Sequence, residues 1–199
     1  MEIIDTHTHL YFKHFKNDFD KVIKKAIDNN ITSLIFPSVD SSHLQKMYEL
    51  KNRYPKNIFL MTGLHPTYVK DNYKEELDQV VKSLIDHDFV AVGEIGIDLY
   101  WDKTFLKQQQ DAFEFQIELA LVNKLPIVIH CRDGFNEIFE ILEKFKSQKI
   151  RGIFHCFTGS LDQANKSIQL GFKLGIGGVV TFKNAGIDKL INYIDLENI

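Results

Sequence analysis

The sequence contains little cysteine and no long apolar stretch, and these two absences exclude several classes of protein. Cys131 and Cys156 are the only cysteines among 199 residues, which is too few for a disulfide framework. No stretch approaches the roughly 20 apolar residues that a membrane helix needs. The first residues also lack a basic segment followed by an apolar one, which argues against a signal peptide. Together these features predict a cytoplasmic location and no membrane partner.

A strong positive charge is absent as well. The formal net charge is -3, and the densest group of basic residues is Lys21, Lys24 and Lys25. Proteins that bind a duplex through many phosphate contacts usually carry a basic face, so the net charge does not favour a nucleic-acid partner. It does not exclude nucleic acid either, because an enzyme that holds one phosphate on metal ions needs less positive surface.

What is present is the composition of an ordinary globular domain, 44% hydrophobic and 26% charged. No Pro-, Ser- or Gly-rich linker divides the chain, so we expect one domain over residues 1–199. Short apolar runs alternate with amphipathic segments, a pattern typical of parallel strands joined by helical crossovers. The predicted strands are Glu2–Asp5, Ser33–Pro37, Ile58–Gly63, Val90–Ile95, Ile127–His130, Gly152–His155 and Phe172–Ile176.

Four of these predicted strands lead into residue types that bind metal. His7 and His9 follow the first strand, and Glu94, His130 and His155 each follow an apolar run. Alternate side chains share one face of a strand, so His7 and His9 can converge on one ion. All carboxyl ends of a parallel barrel open onto one rim, whereas a doubly wound open sheet would spread them along its edge. The pattern therefore favours a barrel.

Four imidazoles and one carboxylate predict a site for divalent metal. Such a set favours a transition metal such as Zn or Mn over a lone Mg. Five ligands exceed what one catalytic ion normally takes while a water position stays open. Two bridged ions would use these ligands better, and Glu94 is the acidic residue positioned to bridge them.

The other histidines and the two cysteines have different interpretations. His65 lies on the same rim, where it can shape its loop, touch substrate or bind metal. Cys131 and Cys156 each follow a proposed ligand by one residue, so alternation turns them toward the helical layer as small buried residues. Three histidines have no strand before them and are predicted to be solvated: His14, His43 and His87.

Five motifs, in this order, resemble the successive signatures of the TatD family of metal-dependent hydrolases. They are Asp5-Thr6-His7-Thr8-His9, Gly63-Leu64-His65-Pro66, Gly93-Glu94-Ile95-Gly96-Ile97-Asp98, Pro126-Ile127-Val128-Ile129-His130-Cys131-Arg132-Asp133 and Phe154-His155-Cys156-Phe157-Thr158-Gly159. The resemblance, which runs along the whole chain, implies a TIM-type barrel and 3′-to-5′ exonuclease or DNase activity on DNA and sometimes RNA. It implies that His7 and His9 hold one ion, that His130 and His155 hold the other, and that Glu94 bridges the two.

The chain departs from the family pattern at its end. The resemblance implies an eighth strand that carries an Asp in a Glu-Thr-Asp-containing motif, which completes the first metal site and assists the attacking water. Neither Asp188 nor Asp195 follows an apolar strand, so neither matches that position. We therefore expect a (β/α)8-type barrel that lacks its last β/α unit, with two unpaired strand edges, and we interpret the chain as a fragment.

The working hypothesis is hydrolysis of single-stranded DNA by a water that two divalent ions (Zn, Mn or Mg) activate, with Glu94 as the catalytic carboxylate. Arg132 can hold a phosphate through its planar donor fork, or form a rim salt bridge with Asp133 or Glu137. Tyr100, with Trp101, can stack on an unpaired base or cap the barrel.

Two alternatives stay open because a fold and a metal site are shared across chemistries. One is an amidohydrolase-type cleavage of an amide, lactone or ester. The other is an inactive metal-binding module, since the eighth-strand Asp is missing. The sequence leaves the physiological substrate and the oligomeric state open.

Overall fold

Seven parallel strands form one sheet in the computed structural model, which describes residues 1–199. Each strand pairs with the next one along the chain, so the spatial order equals the sequence order. All seven predicted strands are confirmed. Their bounds are β1 Ile3–Asp5, β2 Ile31–Pro37, β3 Ile58–Thr62, β4 Ala91–Asp98, β5 Ile127–Arg132, β6 Gly152–Phe154 and β7 Phe172–Leu174.

Helices connect successive strands and cover the outside of the sheet. They are α1 Phe19–Asp28, α2 Leu44–Arg53, α3 Tyr73–Asp86, α4 Leu106–Asn123, α5 Phe135–Lys144, α6 Leu161–Gln169 and α7 Ile187–Leu190. Ser160 and Gln163 form a reciprocal capping box at the start of α6. None of these helices combines the length and apolarity that crossing a lipid bilayer requires.

The main hydrophobic core lies between the strands and the outer helices. Its largest cluster joins β4–β7 to α4 and α5 through fully buried side chains such as Phe113, Ile138 and Phe154. The barrel interior holds a much smaller cluster of Met61, Ala91 and Val128. Because strands buried on both faces must be apolar throughout, this packing explains the continuous apolar runs in the sequence.

The barrel is open between β1 and β7. β1 pairs only with β2 and β7 only with β6, so one edge of each strand has no ladder partner. Ile3 and Ile4 on β1 are 43% and 57% exposed. A cavity of about 720 Å³ extends into the interior and reaches Ile35, Met61 and Ile153. The expected TIM-type barrel without its eighth β/α unit is therefore confirmed.

Three details differ from the expectation. β4 continues to Asp98, so Glu94 lies inside the strand and not at its end. β6 ends at Phe154, which leaves His155 in the following loop. The expectation that Cys156 faces the helical layer is wrong: its φ of 45° interrupts strand alternation, and the residue lines the interior cavity. Cys131, in contrast, is buried as expected.

The three histidines that the sequence predicts to be solvated differ in their exposure. His14 and His87 are exposed, as predicted. His43 is half-buried, because its Nδ1 lies 2.7 Å from Asp40 Oδ1 and its ring packs edge-on against Phe12. For His43 the expectation is wrong.

Candidate metal centre

Two groups of ligand-type side chains meet at the mouth of the barrel and share Glu94. His7, His9 and Glu94 form the first group, and His65, Glu94 and His130 form the second. Within each group the ligand atoms all lie within 4.8 Å of one another. Side chains that are up to 123 residues apart in sequence, from His7 to His130, are thus brought together by β1, β4 and β5.

The two oxygens of Glu94 face different histidines. Oε2 lies 3.1 Å from His7 Nε2 and 3.8 Å from His9 Nε2. Oε1 lies 3.1 Å from His130 Nδ1 and 3.8 Å from His65 Nε2. A carboxylate in this arrangement has the geometry of a bridge between two cation sites.

A glycine on β4 permits this close approach of strands. Gly96 has a φ of 142°, and a Cβ at this position would overlap the backbone carbonyl oxygen of His130. Only glycine fits such a position without strain. The pairing of β4 with β5 also shifts register between Gly93 and Ile95, next to Glu94. Local backbone chemistry therefore brings Glu94 and His130 within contact distance.

Tyr11 orients His9. The Tyr11 hydroxyl donates to the carbonyl oxygen of Pro37 at 2.6 Å, so its oxygen is left to accept from His9 Nδ1 at 2.8 Å. This assignment places the ring proton of His9 on Nδ1 and leaves the lone pair of Nε2 facing His7 and Glu94. Burial raises the pKa of the Tyr11 hydroxyl far above its ordinary value, which keeps the hydroxyl proton in place.

Asp98 orients His130 and is the functional residue that sequence reasoning missed. Its Oδ2 lies 2.8 Å from His130 Nε2, and its Oδ1 accepts the backbone N–H groups of Tyr100 and Trp101. The side chain is 1% exposed. One signal was available, because positions 94, 96 and 98 share one face of an extended strand.

The carboxylates and imidazoles perturb each other strongly. Burial by itself raises the pKa of Glu94, but hydrogen bonds from His130 and His7 outweigh it and hold that pKa well below its ordinary value. Burial by itself lowers the pKa of His130, but Asp98 and Glu94 outweigh it and raise that pKa to about 9. Burial lowers the pKa of His9 to about 4. The centre thus combines ionised carboxylates with imidazoles that differ in charge.

The positions of His65 and His155 differ from the pairing of ligands that the resemblance implies. His65 packs its ring 4.3 Å from that of His130, and its Nδ1 lies 2.8 Å from Thr67 Oγ1. Burial lowers its pKa to about 3. The ring of His155 stacks on His7 at 3.4 Å, and burial lowers its pKa to about 4. His65 therefore lies beside His130, whereas the resemblance places His155 with that residue.

The donor set fits divalent metal. His7 Nε2 and His9 Nε2 lie 3.1 Å apart and both face an ionised carboxylate, so nitrogen and oxygen ligand atoms converge on one small volume. His7 Nδ1 is buried and has no hydrogen-bond partner. Buried polar groups are usually satisfied, and unsatisfied groups concentrate where an ion or a substrate binds. Imidazole nitrogens with a bridging carboxylate are ligands suited to Zn or Mn.

The rim carries the residues expected to touch substrate. The Arg132 guanidinium lies 3.8 Å from the Tyr100 ring centroid and 5.6 Å from that of Trp101. It forms no ion pair with Asp133 or Glu137, because its side chain extends over the aromatic rings instead. Tyr100 and Trp101 are 55% and 69% exposed.

Asp188 and Asp195 do not reach the centre. Asp188 is an exposed residue of α7, and Asp195 is an exposed residue that follows it. Neither belongs to the groups that share Glu94.

Comparison with known proteins identifies the family of this chain. The family model described as TatD related DNase matches residues 4–199. The uncharacterized metal-dependent hydrolase YabD of Bacillus subtilis is 34% identical over 183 residues, which cover 92% of this chain and 71% of YabD. A Yersinia pseudotuberculosis protein named 3'-5' ssDNA/RNA exonuclease TatD is 27% identical over 187 residues. These residues cover 94% of this chain and 72% of the Yersinia protein.

A solved structure also has the fold of this chain. The crystal structure of YjjV, a TatD homologue from Escherichia coli, superposes with a TM-score of 0.90 at 29% identity. The superposition covers 98% of this chain and 76% of YjjV. Fold, motif order and the match to the family model all coincide, and the chain belongs to the TatD family of metal-dependent hydrolases.

Proposed function

We propose that this chain is the hydrolase domain, over residues 1–199, of a 3′-to-5′ exonuclease that cleaves single-stranded DNA and RNA with two divalent cations. The observation that carries the proposal is the carboxylate of Glu94, whose two oxygens face two separate groups of histidines. The name of the Yersinia relative supports the choice of polymer and polarity. Two cation sites that share one carboxylate suit in-line displacement at a phosphodiester.

Each residue of the centre has a defined role in this proposal. His7, His9 and one oxygen of Glu94 would hold the first cation, and His130 and the other oxygen of Glu94 would hold the second, with His65 and His155 as further candidate ligands. Because the pKa of His130 is raised to about 9, the second cation would have to displace a proton from that imidazole. When bound, the divalent cations supply Lewis-acid character and lower the pKa of water toward neutrality. The low pKa values of His9, His65 and His155 keep these imidazoles neutral at physiological pH, which is the form that binds metal.

Positioning residues complete the site. Tyr11 holds the tautomer of His9, and Asp98 holds the ring of His130. Partners of this kind usually contribute 10–100-fold to metal affinity or activity, an order-of-magnitude expectation. On the rim, the exposed Arg132 is placed to bind a phosphate oxygen, with Tyr100 fixing the plane of its guanidinium.

The test compares metal dependence across substrates. Metal-stripped protein receives Zn, Mn or Mg and is then given single-stranded DNA, single-stranded RNA, and simple ester and amide substrates. We expect a DNA strand labelled at its 5′ end to yield a ladder of shortened products, and a strand labelled at its 3′ end to release labelled mononucleotide first. Glu94→Gln is expected to lower the rate at least about 1,000-fold because it removes the bridging charge. Glu118→Gln, an exposed residue on α4, is the matched control.

The outcomes separate the alternatives. Metal-dependent turnover of esters or amides without DNA or RNA cleavage would favour the amidohydrolase-type reaction. Tight metal binding with no hydrolysis of any substrate would favour the inactive module. Absence of metal binding by the unaltered protein would overturn the proposal.

A further inference from the structure

A groove lies at Tyr11 and Phe12, which follow His9 in the sequence. It has a volume of about 830 Å³, and the segment between β1 and α1 forms one wall while α2 contributes to the other. Its lining residues include the rings of Phe12, His14 and Phe15 and four long cations, Lys13, Lys16, Lys46 and Arg53. We call this the β1–α1 groove. Its composition contrasts with the net charge of -3 for the whole chain.

A series of rings leads from the candidate metal centre into the groove. The ring of Phe12 stacks on that of His9 with centroids 5.0 Å apart and planes 4° apart. The next ring, His14, lies 6.0 Å from Phe12, and Phe15 lies 4.4 Å from His14. Phe12 therefore contacts both the candidate ligand His9 and the groove that it lines. Aromatic side chains in such a series stack on unpaired bases with little regard to sequence.

The charges of the groove favour a polyanion. Lys13 and Lys16 are exposed and form no ion pair. Arg53, in contrast, is paired with Asp20 at 3.0 Å, so it adds little net charge to the groove. Lys13 and Lys16 flank His14 in sequence and alternate with the rings. Alternating cations and rings match a strand whose phosphates and bases are both accessible, which is single-stranded and not duplex nucleic acid.

We propose that the β1–α1 groove binds the single-stranded segment that adjoins the phosphodiester at the metal centre, with Lys13 and Lys16 contacting phosphates and His14 and Phe15 stacking on bases. This proposal rests on the proposed function, because it assigns the substrate path of the same site. It adds a binding surface that does not include Arg132 or Tyr100.

Binding is tested first, without cleavage. A labelled oligothymidine of about 12 nucleotides, within the usual range of site sizes, is titrated by fluorescence anisotropy in EDTA. In Lys13→Gln/Lys16→Gln we expect about 25-fold weaker binding at 0.1 M salt and a salt slope smaller by about 1.4, because each phosphate contact contributes about 0.7. His14→Ala is expected to weaken binding at least about fivefold through lost stacking. The matched control Lys82→Gln/Lys149→Gln changes two exposed lysines outside the groove.

Hydrolysis is tested next, with a long and a short substrate. The lysine variant is expected to raise KM for the oligonucleotide while its turnover of bis(4-nitrophenyl) phosphate, which is too short to occupy the metal centre and the groove together, stays unchanged. Weaker binding in the lysine variant with no hydrolysis in any variant would refute the proposed function and leave the groove supported. Oligonucleotide hydrolysis and binding that are equal in the lysine variant and its control would refute the groove and leave the function intact. Equal competition by polyglutamate would also overturn the proposal, because it would indicate a surface for any polyanion.

Discussion

Replacing Tyr11 with Phe tests whether the hydroxyl that contacts His9 controls cation binding at the candidate centre. The Tyr11 side chain is 4% exposed, and its hydroxyl joins His9 Nδ1 to the carbonyl oxygen of Pro37 at 2.8 Å and 2.6 Å. The substitution removes only the oxygen and keeps the ring that packs in the core. It therefore leaves one buried donor and one buried acceptor without their partner.

The structure sets the size of the effect. A buried group that loses its hydrogen-bond partner costs roughly 1–3 kcal/mol. The free energy of unfolding of the metal-free protein should fall by about that amount. His9 would also lose the contact that holds its proton on Nδ1, so Nε2 would no longer be fixed as the nitrogen with the free lone pair. Loss of such a partner usually weakens metal binding about 10–100-fold, or roughly 1.4–2.7 kcal/mol.

Competition titration with a chromophoric chelator measures the affinity for Zn and Mn directly. Tyr73→Phe is the control, because that ring packs beside Leu64 and Val69 in a separate cluster. We expect the control to retain the original affinity and Tyr11→Phe to lose it in the stated range. If Tyr11→Phe is destabilised but binds both metals unchanged, the hydroxyl has only a structural role and the orientation argument fails.

Three further predictions concern the same centre. Asp98→Asn keeps the shape of the side chain but removes the charge beside His130, so we expect cation affinity about 10–100-fold lower in the same titration; an unchanged affinity would exclude this role. Gly96→Ala places a Cβ against the His130 carbonyl oxygen at a φ of 142°, so urea unfolding should show a loss of roughly 3 kcal/mol or more, whereas Gly178→Ala, with open space around it, should change little. Divalent cation at about 100 times its Kd should stabilise the protein by about 2.7 kcal/mol and raise Tm in calorimetry, and a similar rise in Glu94→Gln would show that the cation binds elsewhere.

The predictability of the fold differs from element to element. The seven strands follow from apolar runs, and their confirmed order follows from the short helical crossovers between them. The apolar pattern predicts that β4 ends at Ile95, because Gly96 interrupts it, but the strand continues to Asp98. For β6 the prediction is too long: alternation extends the strand to His155, but the chain leaves the sheet after Phe154.

The arrangement of the site residues was also predictable only in part. The approach of His7, Glu94 and His130 is as predicted, because residues at one end of parallel strands share a rim. The places of His65 and His155 depend on loops whose paths no periodicity describes. Asp98 contacts His130 only because β4 and β5 pair with a shifted register beside Gly96.

The sequence alone determined the alternation of strands and helices, the ligand types at the strand ends and the family to which the chain belongs. It could do so because side-chain periodicity and motif order are local properties of the chain. The tertiary structure decided that Glu94 faces two histidine groups, that Tyr11 and Asp98 orient the imidazoles, and that Lys13 and Lys16 lie in an aromatic groove beside His9. These relations depend on distances between residues far apart in sequence, which only the packing of the strands and loops defines.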